Sequence, residues 1–244
     1  MNLPDYIIIG ETKCGTTSFF NYLIRHPQIL DTFGNGDQLD EIYNTKEIRY
    51  FDRYFDRGIE WYKNCFPDTL PGQITGEATP MYMYRTMAMR RIHKVLPNIK
   101  LIVQLRNPIG RLYSNYMHNQ KWVPGWNEKY KSFEHFLSSV HDVDYYLIDK
   151  GLYAQTLRRW FKYFPKEQFY IFTNEELKRD PQTIYSGALS FLDVDDFKIA
   201  EFKHYRSLNY EQMKDSTRKD LIDFYRPYNQ ELYDLLGIDA VWDF

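Results

Sequence analysis

Within the first twenty-five residues the apolar positions change period once, and that change is informative. Tyr6-Ile7-Ile8-Ile9 is an unbroken apolar run that stops at Gly10, the pattern of a strand buried on both faces. From Phe19 the spacing becomes helical, with Phe19, Phe20, Leu23 and Ile24 on one side. The same alternation recurs downstream. Lys100 to Leu105 and Gln168 to Phe172 read as further strands, and Ile74, Gly76, Glu77 and Pro80 as a short strand running into a loop. Helical spacing covers 58–65, 86–95, 109–120, 132–140, 151–164, 181–192 and 216–236, while 34–45 reads as a surface loop and 122–131 as an aromatic one. Strands alternating with helices predict an α/β chain: a P-loop-like parallel β-sheet with helices on both faces. Ligands of such sheets bind at the carboxyl ends of strands, where Gly10 and Arg106 fall.

The junction at residues 10–18 carries the chemistry. Strand, glycine-bounded loop and helix N-terminus make an anion cradle, in which unpaired backbone N–H groups and the positive end of the helix dipole converge. A nucleoside-triphosphate loop reads G-x-x-x-x-G-K-[ST]. Gly10, Gly15 and Thr17 keep that register, but Thr16 stands in the lysine position and the cation is Lys13, inside the loop. Cys14 lies in the same loop, and Ser18 adds a hydroxyl. The relocated lysine points to a phosphate-bearing donor whose transferable group is not held like a γ-phosphate.

Composition narrows the class. A chain of 244 residues is read as one domain spanning 1–244, and its net charge of −2 argues against a general nucleic-acid binder. Two cysteines, Cys14 and Cys65, make no disulfide framework. No apolar run approaches a membrane span, and the start lacks a basic leader, so the chain reads as a soluble cytoplasmic protein. That architecture favours a bacterial or viral source over a Golgi enzyme. Aromatic residues make up 18%, which fits either a carbohydrate-facing groove or a core filled with tyrosine; the core reading is preferred where no motif places a tyrosine.

A second anion site follows the strand at 100–105. In a P-loop nucleotidase that strand ends in an aspartate holding Mg²⁺; here it ends in Arg106, with Ser114 two helical turns on. Arginine suits bidentate phosphate recognition. Two anion sites, no metal carboxylate and a displaced lysine describe a nucleotide with phosphates at two separated positions, used without a metal.

Taken in order, these segments resemble the sulfotransferases that use 3′-phosphoadenosine 5′-phosphosulfate, most closely the glycan branch that includes the heparan sulfate enzymes. Lys13-Cys14-Gly15-Thr16-Thr17-Ser18 resembles the family's 5′-phosphosulfate loop, and Leu105-Arg106-Asn107-Pro108 with Arg111 and Ser114 its 3′-phosphate motif. Lys46 to Asp52 is similar to a K-E-x-x-x-F-D segment, and Gly76 to Tyr82 to an E-K-[ST]-P-x-Y segment. Gly151-Leu152-Tyr153 with Trp160 resembles a G-x-Y helix, and Glu176-Leu177 with Asp180-Pro181 a later cofactor-side motif. The resemblance implies the sulfotransferase fold and metal-independent in-line transfer. Lys13 would stabilise the charge that grows on the leaving phosphate, and Glu47, or second Glu77, would be the base. Tyr153 and, more weakly, Arg206 join the donor-binding set. The implied acceptor is a hydroxyl, or less readily an amine, of a glycan, glycolipid or small molecule. Ala78 and Arg49 depart from the branch's lysine and histidine, which sets the acceptor side apart from a heparan enzyme. The other readings are a P-loop kinase, which would need the missing lysine and aspartate, and a non-catalytic nucleotide sensor. The basic run Arg85, Arg90, Arg91, His93 and Lys94 reads first as a solvated helix face. Oligomeric state leaves no mark in the sequence.

Overall fold

The computed structural model describes residues 3–32, 46–139, 146–203 and 213–242. Its elements in chain order are β1 (Tyr6–Gly10), α1 (Thr16–Leu23), β2 (Ile29–Leu30), α2 (Ile59–Lys63), β3 (Ile74–Ala78), α3 (Thr86–Val95), β4 (Lys100–Leu105) and α4 (Pro108–Trp122). Then come α5 (Trp126–Lys129), α6 (Phe133–Ser139), α7 (Tyr146–Asp149), α8 (Tyr153–Trp160), β5 (Phe169–Thr173), α9 (Asn174–Arg179), α10 (Pro181–Leu192) and α11 (Asp215–Leu236). They gather into two compact units, one of residues 1–105 with 160–207 and the other of 106–159 with 208–244.

The first unit is a five-stranded sheet in the order β2-β3-β1-β4-β5, every recorded pairing parallel. Its strands are apolar runs because both faces are covered. Tyr6 and Ile8 of β1, with Ala78, Ile102 and Phe172, join Phe19, Phe20 and Leu23 of α1 and Tyr185, Leu189 and Leu192 of α10 in one core. Ile7, Ile9, Leu101 and Val103 point the other way and are equally buried. Each such side chain contributes roughly 1.5–3 kcal/mol by leaving water. Three of the tyrosines, Tyr6, Tyr22 and Tyr185, are buried in this core, so tyrosine fills space here as the sequence reading preferred.

The second unit packs α4 to α7 and α11 around an aromatic core that includes Tyr116, Trp126, Tyr130, Phe133 and Phe136, with Leu221 and Tyr225 from α11. The expected aromatic loop at 122–131 contains helix α5. Gly125, at φ 76°, restarts the chain, and Trp126 is buried against Tyr130 and Phe136. The helix expected over 151–164 is the shorter α8, and a short unforeseen helix, α7, precedes it. Lys46 to Asp52 adopts neither helix nor strand. Residues 34–45 lie outside the described residues.

Candidate functional site

β1 delivers its chain directly into the cradle. Gly10 is obligatory at the bend, since a Cβ there would stand 2.5 Å from the Met83 Cβ. Gly15, at φ 101°, is the N-cap of α1, a conformation that glycine adopts without strain. Lys13 holds φ 66°, sparsely populated for a residue with a side chain and characteristic of functional loops. The first N–H groups of a helix lack a carbonyl one turn back. In α1 the Gly15 carbonyl takes the Ser18 and Phe19 N–H groups, and those of Thr16 and Thr17 stand ahead of them at the helix end. Thr16 and Ser18 are buried and Thr17 half-buried around them. Backbone donors, hydroxyls and a lysine form a donor set for an anionic group, so the loop fits the phosphosulfate end of the implied donor.

The remaining loop residues are tied down. Cys14 is buried, its thiol within 3.8 Å of the Thr12 carbonyl and its N–H donating to the Glu11 carbonyl at 3.2 Å, so it gives no exposed nucleophile. Three neighbours went unnoticed in the sequence. Asn174, at the start of α9, donates from Nδ2 to the Cys14 carbonyl at 2.9 Å. Gln104 of β4 is fully buried beside Gly15, and its amide has no hydrogen-bond partner among the described residues. Glu11 is buried, its carboxylate accepting from the Thr12 N–H and hydroxyl. An isolated polar residue in an apolar strand, Gln104 in Leu-Ile-Val-Gln-Leu, was the available signal.

The carboxyl end of β3, the strand beside β1, holds the second part. Residues 46–52 lie alongside it. The Ala78 N–H donates to the Lys46 carbonyl at 3.0 Å, and Lys46 Nζ donates to the Ala78 carbonyl and to Glu47 Oε1, each at 3.2 Å. Lys46 is buried, whereas the Glu47 side chain keeps 25% of its surface exposed. Arg49 is committed to Asp52, with Nε to Oδ1 at 3.3 Å and a second, parallel bond.

Glu77 is placed differently from what the sequence suggested. It is fully buried on β3, and its carboxylate accepts from Tyr62 OH at 2.6 Å, Thr79 Oγ1 at 2.6 Å and Tyr82 OH at 3.3 Å. Burial pushes its pKa up to about 7 against the opposing pull of these hydroxyl bonds, with Asp52 adding to the rise. Burial, then the Glu77 charge, keeps Tyr62 and Tyr82 far above the usual tyrosine range, so both remain donors. A carboxylate enclosed in this way has no face for an acceptor. As a second base, Glu77 is corrected to a buried role.

In the second unit, Arg106 precedes α4. The helix is capped by Asn107, whose Oδ1 accepts from the Ile109 and Gly110 N–H groups at 3.0 and 3.4 Å, with Pro108 in the first turn. The Arg106 guanidinium lies over that turn, 3.3 Å from where a Gly110 Cβ would stand. Ser114 is buried farther along α4, and the Tyr153 hydroxyl donates to the Arg106 carbonyl at 2.8 Å. Arg206 lies outside the described residues. The late motif turns out to be capping chemistry: Thr173 and Glu176 form a capping box for α9, and Asp180 caps α10. The basic run on α3 is dispersed, Arg91 bonding the Phe51 carbonyl and His93 packing on Tyr163 and Phe164, while Arg85, Arg90 and Lys94 are exposed. Among the described residues, no three His, Cys, Asp or Glu side chains gather as a metal site, and no helix is long and apolar enough to cross a membrane.

Residues 3–226 match the family model described as a sulfotransferase domain. The chain is 31% identical to mouse heparan sulfate glucosamine 3-O-sulfotransferase 6 across 98% of its length and 74% of the relative's. It is 26% identical to the membrane-associated sulfotransferase kil1 of Dictyostelium discoideum, across 98% of the chain and 66% of that protein. Among solved structures it is similar to a sulfotransferase from Alicyclobacillus acidocaldarius, with a TM-score of 0.74, 25% identity and 98% of each chain covered. These curated relatives are from animals and a slime mould, which does not favour the expected bacterial or viral source. None of these matches supports the kinase alternative.

Proposed function

The chain belongs to the sulfotransferase family, and from that premise we propose that it transfers a sulfuryl group from 3′-phosphoadenosine 5′-phosphosulfate to a hydroxyl, or an amine, of a carbohydrate acceptor. One observation carries the reading: Lys13, held at positive φ, in a helix-terminal anion loop beside the β3 end against which the segment carrying Glu47 lies. The relatives named for heparan sulfate support a glycan acceptor. The family match runs through residues of both compact units and supports treating 1–244 as one sulfotransferase domain.

When bound, the donor supplies an activated sulfuryl group on a phosphate leaving group. Lys13 and the backbone N–H groups of Gly15 to Thr17 oppose negative charge at the cradle, as preorganised donors do in other group transfers. Thr16, Thr17 and Ser18 complete the cradle, with Cys14 assigned on motif order alone. Arg106 and Ser114 are the proposed 3′-phosphate ligands, with Tyr153 holding the Arg106 carbonyl and Arg206 assigned on motif order alone. Glu47 takes the proton from the acceptor oxygen or nitrogen, and Lys46 fixes its carboxylate.

The test has two arms. Calorimetry should show 3′-phosphoadenosine 5′-phosphate binding more tightly than ATP with Mg²⁺, and radiolabelled sulfate should pass to at least one of a panel of glycan oligosaccharides in EDTA. Preference for ATP with Mg²⁺, and phosphoryl rather than sulfuryl transfer, would sink the reading. Tight product binding with no transfer to glycans, glycolipids or phenols would favour a sensor.

A further inference from the structure

Residues 46–52 carry the proposed base but belong to no helix or strand, so their backbone groups must be satisfied elsewhere. The Arg49 N–H donates to Thr79 Oγ1 at 3.3 Å, and the Phe51 N–H to Tyr82 OH at 3.2 Å. Both hydroxyls in turn donate to Glu77. A hydroxyl can turn either way, presenting a hydrogen or a lone pair, whereas an ionised carboxylate only accepts. Glu77 therefore draws the hydrogens of Thr79 and Tyr82 inward and leaves their lone pairs for the two N–H groups. Tyr62, from α2, completes the ring of donors. The arrangement also holds Arg49 at φ 58°, a conformation that persists only where surrounding bonds fix it. An amide at position 77 would bring two hydrogens into a site that offers hydrogens already.

We propose that Glu77 is a positioning residue: through Thr79 and Tyr82 its buried carboxylate sets the backbone of residues 46–52 and with it the aim of Glu47. The proposal rests on the reading of Glu47 as base. The segment is locked to β3 by a polar hub, and the hub works through hydrogen direction rather than through contact with any ligand.

The experiment compares wild type, Glu77→Gln, Thr79→Val, Thr79→Ser and Tyr82→Phe at pH 8, where Glu77 is ionised. Hydrogen exchange is read at the amides of residues 46–52 and 10–18, alongside sulfate transfer and binding of 3′-phosphoadenosine 5′-phosphate. Loss of one hydrogen bond should speed exchange at Arg49 in Thr79→Val and at Phe51 in Tyr82→Phe by roughly tenfold, and at both in Glu77→Gln. Residues 10–18 and product affinity should stay as in wild type, kcat should fall while the donor KM holds, and Thr79→Ser should restore protection at Arg49. Unchanged exchange at Arg49 and Phe51 in Glu77→Gln, or faster exchange throughout the chain, would overturn the proposal. Should Glu77→Gln fail to fold, the Thr79 and Tyr82 variants decide by the same readout. A wild-type chain that transfers no sulfate would refute the functional reading alone, because exchange still reports whether Glu77 holds the segment.

Discussion

The cradle at residues 10–18 and the segment at 46–52 stand at the ends of neighbouring strands of one sheet, yet they are built by opposite means. The cradle is local. A strand, two glycines and a helix start create it from consecutive residues, and its binding groups are mostly backbone. The segment is assembled at a distance, by bonds from residues thirty or so positions away in sequence: Ala78, Thr79 and Tyr82. Holding the phosphosulfate end on this scheme rests mainly on how the chain turns after β1. Acceptor activation needs a buried polar hub to form first, which leaves the second part open to change while the first stays fixed.

Substitutions should separate the two. The largest effect is expected from Lys13→Ala, with kcat lower by roughly 10²–10³-fold and folding unaffected, as for the loss of one preorganised charge-stabilising donor. Glu47→Gln should cost on the order of 10²-fold in turnover and leave product affinity unchanged, since it touches only the acceptor half. Gly15→Ala should strike the cradle through its backbone. Its Cβ would stand 2.6 Å from Asn174 Nδ2 and 2.9 Å from Gln104 Nε2 at φ 101°. Product binding should weaken, and stability should fall by about 1–3 kcal/mol, measured by denaturant titration.

Glu77 gives the comparison a pH signature. Its folded pKa, about 7, lies above the ordinary 4.5, so the native state holds this proton more tightly than the unfolded chain does. Its contribution to stability is full below about pH 4.5 and is lost as pH rises through 7, by up to about 3 kcal/mol. Urea titrations from pH 4 to pH 8 should show that decline in wild type and a flatter profile in Glu77→Gln; equal slopes would remove the argument. The smallest effect is expected for Asn174→Ala, which removes one bond to the Cys14 carbonyl and should cost about 1 kcal/mol.

What the sequence made legible follows the same division. β1, α3, β4 and α10 were read almost to the residue, because long apolar runs and helical spacing are local signals. The Lys13 loop was legible for the same reason. β2 is two residues long, and α9 depends on a capping box at Thr173 and Glu176, so neither leaves a periodic trace. Glu77 was found as a residue and mistaken in role, since adjacency to a strand end says nothing about whether three hydroxyls close over the carboxylate. Lys46 was read only as the first residue of the K-E-x-x-x-F-D resemblance, and its burial against the Ala78 carbonyl left no trace in the sequence. Gln104 and Asn174 meet the cradle only through sheet order, which places β4 next to β1 and β5 next to β4. Spacing along the chain cannot report that.

The most direct test is sulfate transfer by Glu47→Gln at saturating donor, in EDTA, beside the calorimetric affinity of wild type and variant for 3′-phosphoadenosine 5′-phosphate. The account expects equal affinities and turnover reduced by about 10²-fold or more. Turnover within a few-fold of wild type would contradict it, because the base would then lie outside the segment that β3 holds in place.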